Sequence, residues 1–92
     1  MRVEIQLSGS IQLYFSDAKM HFNLKNNATL ADLYEEMGHS IGSKMSKAIW
    51  NHEKKRFRGP VVVVSNNEIL KGEDTLLHDN QLIELKRFLI GG

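Results

Sequence analysis

Residues 81–92 read QLIELKRFLIGG. Ile83, Leu85 and Arg87 alternate with Glu84, Lys86 and Phe88, a period of two that predicts a strand; Leu82 is hard to place. The alternation then gives way to three apolar residues, Phe88, Leu89 and Ile90, and to Gly91-Gly92. Terminal residues ordinarily fray, and glycine loses the most freedom when it is ordered. Three large apolar side chains beside such an end need a reason to face water. Leu89 and Ile90 are therefore expected to insert into a partner groove with Phe88 beside them. Lys86 and Arg87 would steer the approach, and Ile69 and Leu70 are expected on the same face.

Upstream, Val61 to Val64 is an unbroken apolar run, which predicts a strand covered on both faces or lying centrally in a sheet. Pro60 suits the first position of that strand. Asn66-Asn67 offers a turn, since Asn tolerates positive φ, and Glu68, Ile69 and Leu70 return as a short strand. Lys71 to Asp74 reads as a turn, Leu76 and Leu77 as an apolar plug, and Asp79-Asn80 as a further turn. At the other end of the chain, Val3, Ile5 and Leu7 alternate with Arg2, Glu4 and Gln6, predicting a half-buried strand. Ser8-Gly9-Ser10 has turn chemistry. The alternation of Ile11, Leu13 and Phe15, resumed by Met20, Phe22 and Leu24, predicts a long second hairpin arm, or one broken by a bulge near Asp17.

Between these strands lies a helix. Thr29 and Asp32 have capping-box spacing, with Asp in place of the usual Glu. Leu30, Leu33, Tyr34, Met37 and Ile41 form one apolar stripe at helical spacing. Gly38 or Gly42 is expected to close the helix as a left-handed cap. Ser43 is then in place to cap a second short helix carrying Met45, Ala48, Ile49 and Trp50, and residues 51–59 read as a polar loop. A hairpin, a crossover helix and further strands make an α+β layout: a mixed sheet of four to five strands with one main helix packed on one face. The helix is long enough for a parallel connection, which lets the first and last strands pair in the centre.

With 92 residues the chain is expected to form one domain, residues 88–92 being its flexible tail. It has no cysteine, which excludes disulfides, thiolate metal sites and a cysteine nucleophile within this chain. Its net charge of +1 predicts no strong pull toward nucleic acid or anionic membrane. No apolar run approaches the roughly 20 residues that span a bilayer. MRVEIQLSG lacks the continuous apolar stretch of a signal peptide, so a cytoplasmic location is expected. His21, His39, His52 and His78 are scattered, with no pair at metal-ligand spacing. Residues 38–44, GHSIGSK, fail as a phosphate loop in spacing and in following a helix. Lys44, Lys47, Lys54, Lys55, Arg56 and Arg58 stand against the single acid Glu53, with Phe57 among them. That segment reads first as a solvated loop, then as a docking surface for an acidic partner, and last as an RNA site.

Three stretches carry a family resemblance. Val63-Val64-Ser65-Asn66-Asn67, Leu77-His78-Asp79-Asn80-Gln81-Leu82-Ile83 and Leu89-Ile90-Gly91-Gly92 resemble the corresponding segments of the sulfur-carrier proteins. That MoaD/ThiS-like group comprises the small subunit of molybdopterin synthase, the thiamine-pathway carrier and the ubiquitin-related modifiers. Asn80 stands where the family has glycine, Gln81 and Leu82 where it has two acids, and Arg87-Phe88 where it often has two prolines. The resemblance implies a ubiquitin-like β-grasp fold and a function centred on Gly92. An E1-like adenylating enzyme, using ATP and magnesium, would activate the Gly92 carboxylate. A sulfur donor would convert it to a thiocarboxylate, and a sulfur-accepting synthase subunit would receive the sulfur in molybdopterin or thiamine biosynthesis. On this reading the chain is a substrate rather than an enzyme and binds no cofactor or metal itself. Membrane and nucleic-acid partners are not expected. Gly91 and Gly92, lacking Cβ, suit a narrow channel, and five extended residues reach roughly 17 Å. Two alternatives stand beside it: a ubiquitin-like modifier conjugated through Gly92 to target lysines, and a non-catalytic interaction domain.

Overall fold

A computed structural model of the chain describes residues 1–59 and 61–87. Strand β1 (Arg2–Gly9) is followed by a 3-10 turn (Ser10–Tyr14) and strand β2 (Lys19–Asn23). Helix α1 (Leu30–Ile41) comes next, then a short 3-10 turn (Gly42–Lys44). A small hairpin follows, β3 (Trp50–Asn51) with β4 (Arg56–Phe57). The chain then forms β5 (Val61–Ser65), β6 (Glu68–Ile69) and β7 (Gln81–Arg87). Five strands make one mixed sheet in the order β2-β1-β7-β5-β6. The first and last strands do pair in parallel at its centre, with Val3 beside Gln81, Ile5 beside Ile83 and Leu7 beside Leu85.

The period of two explains which face is covered. Val3, Ile5, Leu7, Phe22, Val63, Ile83 and Leu85 are buried on one face, where Leu30, Leu33, Tyr34 and Met37 of α1 complete the core. Each fully buried aliphatic side chain removes enough apolar surface to contribute about 1.5–3 kcal/mol. The capping box forms as expected. The Thr29 hydroxyl accepts from the Asp32 N–H at 3.3 Å, and an Asp32 carboxylate oxygen accepts from the Thr29 N–H at 2.8 Å. That second bond holds the Asp32 carboxyl below its ordinary range.

Four expectations change. Residues 10–16 are not a hairpin arm. The chain turns at Gly9, whose φ is +70°, into a 3-10 turn that buries Ile11 and exposes Leu13. The alternation there was too short to form a register, because Gly9 redirects the backbone before Ile11. The helix runs through Gly38, and Gly42 caps it in the right-handed region, with φ −55° and ψ −39°, leading straight into the next 3-10 turn. Ser43 lies within that turn and caps no second helix; Trp50 instead starts the β3–β4 hairpin. Met45, Ile49 and Trp50 are buried all the same, so their apolar spacing served a compact loop rather than a helix. Leu77 plugs the core, but Leu76 faces out.

The 42–58 segment is locked onto α1 by aromatic and charged contacts. Phe57 stands edge-on to Trp50, with centroids 4.9 Å apart, and to Tyr34 at 6.2 Å. The Arg56 guanidinium lies over the Tyr34 ring at 5.2 Å and forks onto Glu73, with Nη2 2.9 Å from Oε1. The same group reaches Glu35 at 3.3 Å, where Lys55 also pairs at 3.5 Å. Burial pushes the Tyr34 hydroxyl up to about 12, so it stays neutral beside these charges at any ordinary pH.

Candidate functional site

The sheet has one covered face and one open face. The register places Leu82, Glu84 and Lys86 of β7 on the open face, between Glu4, Gln6 and Ser8 of β1 and Val62 and Val64 of β5. Ile69, paired with Val64, joins them and is 59% exposed. Val62 and Val64 are half-buried, so the valine run lies inside the sheet without being covered on both faces. Leu82 is exposed, and a shallow groove of about 260 Å³ runs beside it over Gln6, Val64 and Glu84. The Ser8 hydroxyl donates to Glu84 Oε2 at 2.7 Å, and Lys86 Nζ lies 3.4 Å from Glu84 Oε1. The Ser8 bond first, and Lys86 second, hold the Glu84 carboxyl below its ordinary range.

Lys86 and Ile69 therefore share the open face. Leu70 takes the opposite phase: its N–H donates to Val63 O at 2.8 Å and its side chain packs on the core. Val62, Val64 and Leu82 complete the patch that sequence reasoning began with Ile69. The signal for them was the uncharged run and the unplaceable Leu82, which became legible only once the register assigned them a side.

Arg87 ends β7 and is held from both sides, opposite Gly9 across the parallel pair and Val61 across the antiparallel one. The Ser10 hydroxyl donates to the Arg87 carbonyl at 2.9 Å. A Cβ on Gly9 would collide with that same carbonyl oxygen, and its φ of +70° is a region that glycine favours. The Arg87 guanidinium lies against Gly59 and 3.5 Å from the Ala48 carbonyl. The last described residue of β7 is thus fixed in place on both sides and through its side chain. Phe88, Leu89, Ile90, Gly91 and Gly92, the tail singled out in the sequence, lie outside the described residues, as does Pro60.

Among the described residues, no group of three or more His, Cys, Asp or Glu side chains is placed to hold a metal ion. Every buried side-chain nitrogen and oxygen described has a hydrogen-bond partner; Ser65, for example, donates to Leu82 O and accepts from Gln81. No described helix is long and apolar enough to cross a membrane.

Neither a protein-family model nor a curated protein matches the sequence. Solved structures do match. SAMP1 from Haloferax volcanii superposes with a TM-score of 0.76 at 13% identity, covering 100% of both chains. The putative molybdopterin converting factor, subunit 1, from Pyrococcus furiosus gives 0.65 at 13% identity, over 96% of this chain and 98% of that one. A chain from the complex of subunits 1 and 2 of molybdopterin-converting factor from Helicobacter pylori gives 0.59 at 21% identity, covering 100% of both. At such identities the likeness is one of fold: the chain has the ubiquitin-like β-grasp fold. That is the fold which the short motifs in the last third of the sequence led us to expect.

Proposed function

We propose that the chain is a sulfur-carrier protein whose reactive group is the Gly92 carboxylate. The observation that carries the reading is the clamping of β7 at Arg87, at the end of a body built like the proteins above and five residues before Gly92. A carboxylate with an ordinary pKa of roughly 3.3–3.7 is ionised at neutral pH and is a competent nucleophile when held in line. It attacks the α-phosphorus of ATP and pyrophosphate leaves, giving an acyl adenylate. Hydrosulfide then attacks the acyl carbon; the C–S bond forms, the C–O bond to AMP breaks, and AMP departs with the electron pair. The proton goes to solvent and a thiocarboxylate remains on Gly92. An E1-like enzyme holds ATP and magnesium, and this chain acts as its substrate, in the cytoplasm where ATP is supplied.

A synthase subunit is the proposed sulfur acceptor, for molybdopterin or for the thiamine thiazole. Support comes from the Helicobacter pylori structure, which is a complex of two subunits of molybdopterin-converting factor. A second reading has its own support: SAMP1 is described as small archaeal modifier protein 1. On that reading the same adenylate ends as an isopeptide bond to a lysine. In both, the open face around Ile69, Val64 and Leu82 serves as the docking surface, and Phe88, Leu89 and Ile90 guide the end into the partner. The test is ATP–pyrophosphate exchange with the E1-like enzyme of the same cell. Exchange that requires Gly92 supports the reading. Exchange indifferent to deletion of Gly92, or absent with the full chain, overturns it in favour of a non-catalytic interaction domain.

A further inference from the structure

The end of the body where β7 finishes carries a second surface, away from the open sheet face. A largely apolar groove of about 190 Å³ lies there, lined by Tyr14, Phe15, Ser16, Met20, Ile41, Lys44 and Met45. Leu13, next to Tyr14 in the first 3-10 turn, is 81% exposed. Lys44 is exposed at the groove, Lys47 and Arg58 are exposed at the same end of the body, and among the described residues none of the three has a carboxylate within ion-pair distance. Lys55 and Arg56 differ, being committed to Glu35 and Glu73. The only acid in residues 10–20 is Asp17, with Lys19 two positions on.

This surface is tied to the chain exit. Ser10, at the foot of the turn, holds the Arg87 carbonyl. Ala48, next to Lys47, presents its carbonyl to the Arg87 guanidinium, and Gly59, next to Arg58, lies against the same group. Whatever receives residues 88–92 must come close to this end of the molecule. A largely apolar recess with Lys44 at its edge, and Lys47 and Arg58 at the same end of the body, fits carboxylates flanking a large apolar side chain. Such charges act chiefly on encounter rate and partner choice. A recess lined by two aromatics and two methionines adapts to one inserted side chain.

We infer that this end of the body docks a protein segment bearing acidic residues around one large apolar side chain. That side chain enters the groove between Tyr14, Ile41 and Met45, and the carboxylates meet Lys44, Lys47 and Arg58. The inference rests on the proposed function, since the segment belongs to the enzyme that activates Gly92.

The experiment is ATP–pyrophosphate exchange measured against carrier concentration, using the full chain and the E1-like enzyme. The triple charge reversal K44E/K47E/R58E is expected to raise KM about tenfold or more while kcat stays within about twofold. Raising salt from about 50 to 300 mM should raise the wild-type KM and leave that of the triple variant flat. Leu13→Ser and Tyr14→Ser should raise KM independently of salt, and the charge-conserving pair K44R/K47R should keep the wild-type value. Folding of each variant is checked by thermal unfolding. An unchanged KM in the folded triple variant, with wild-type exchange intact, overturns the docking site and leaves the function standing. No exchange by the wild type sinks the function and this inference with it. Competition by a single-stranded RNA oligonucleotide that the triple variant escapes reassigns the cations to nucleic acid and overturns the protein partner.

Discussion

The central β1–β7 pair and the 42–58 segment are built on different principles. In the pair, every second residue is buried and backbone bonds set the register along the whole strand; Val3, Ile5, Ile83 and Leu85 are all fully enclosed. The segment has two strands of two residues each, held by Trp50, Phe57 and the Arg56 fork. The difference teaches where specificity resides. The pair is determined by periodicity and tolerates volume-conserving exchange. The segment depends on a few side chains with no periodic backup.

The sharpest way to break that contrast is Trp50→Ala. If the segment is part of the core, as full burial of Trp50 indicates, the change costs about 3–5 kcal/mol and lowers a single cooperative unfolding transition. A separate early transition confined to the segment would mean that it is merely appended. Ile83→Ala, in the central pair, is expected to cost about 2–5 kcal/mol in denaturant unfolding, whereas Ile83→Val costs only about 0.5–1.5 kcal/mol. Gly9→Ala tests the joint between strand and exit. Its positive φ and the collision with the Arg87 carbonyl predict a loss of about 1–3 kcal/mol, read by thermal melting. Arg56→Met keeps the aliphatic stem and removes the fork to Glu73 and Glu35. Because these pairs are solvent-accessible, the expected loss is only about 1 kcal/mol, and it shrinks in high salt.

The smallest effect concerns pH. Asp32 and Glu84 titrate below their ordinary values of 3.8 and 4.5 when folded. Each therefore contributes stability that is full above its unfolded pKa and fades as pH falls through the lower folded one. The difference in Tm between wild type and Asp32→Asn should accordingly shrink toward zero as pH drops below about 4. A difference that persisted in acid would detach the capping box from charge.

Legibility in the sequence followed the same division. Val3, Ile5 and Leu7 announced β1 because a period of two is a local property. Thr29 with Asp32, and the stripe from Leu30 to Met37, announced α1 for a similar reason. Asn66, Asn67 and Asn80 were readable as turns and do adopt positive φ. The parallel pairing was inferable from the helical crossover. Residues 10–16 misled because Gly9, which ends the strand, looks like any turn glycine until the Arg87 carbonyl is placed beside it. The hairpin at Trp50 was hidden because its cohesion comes from Tyr34 and Glu73, 16 and 23 residues away in the chain. Of the candidate site, Lys86 and Ile69 could be foreseen on one face, while Val62, Val64 and Leu82 needed the cross-strand register. Leu70 shows the limit: its neighbour Ile69 faces water, and only pairing with Val63 turns it inward.

The central claim is that this body exists to present the Gly92 carboxylate for activation and loading with sulfur. Incubation with the E1-like enzyme, ATP and hydrosulfide, followed by intact-mass measurement, tests it most directly. The account predicts a shift equal to the exchange of one oxygen for sulfur, lost when Gly92 is removed. An unchanged mass while the enzyme and ATP are demonstrably active would contradict it, and a ladder of lysine-linked conjugates in place of the exchange would transfer the claim from sulfur carriage to protein modification.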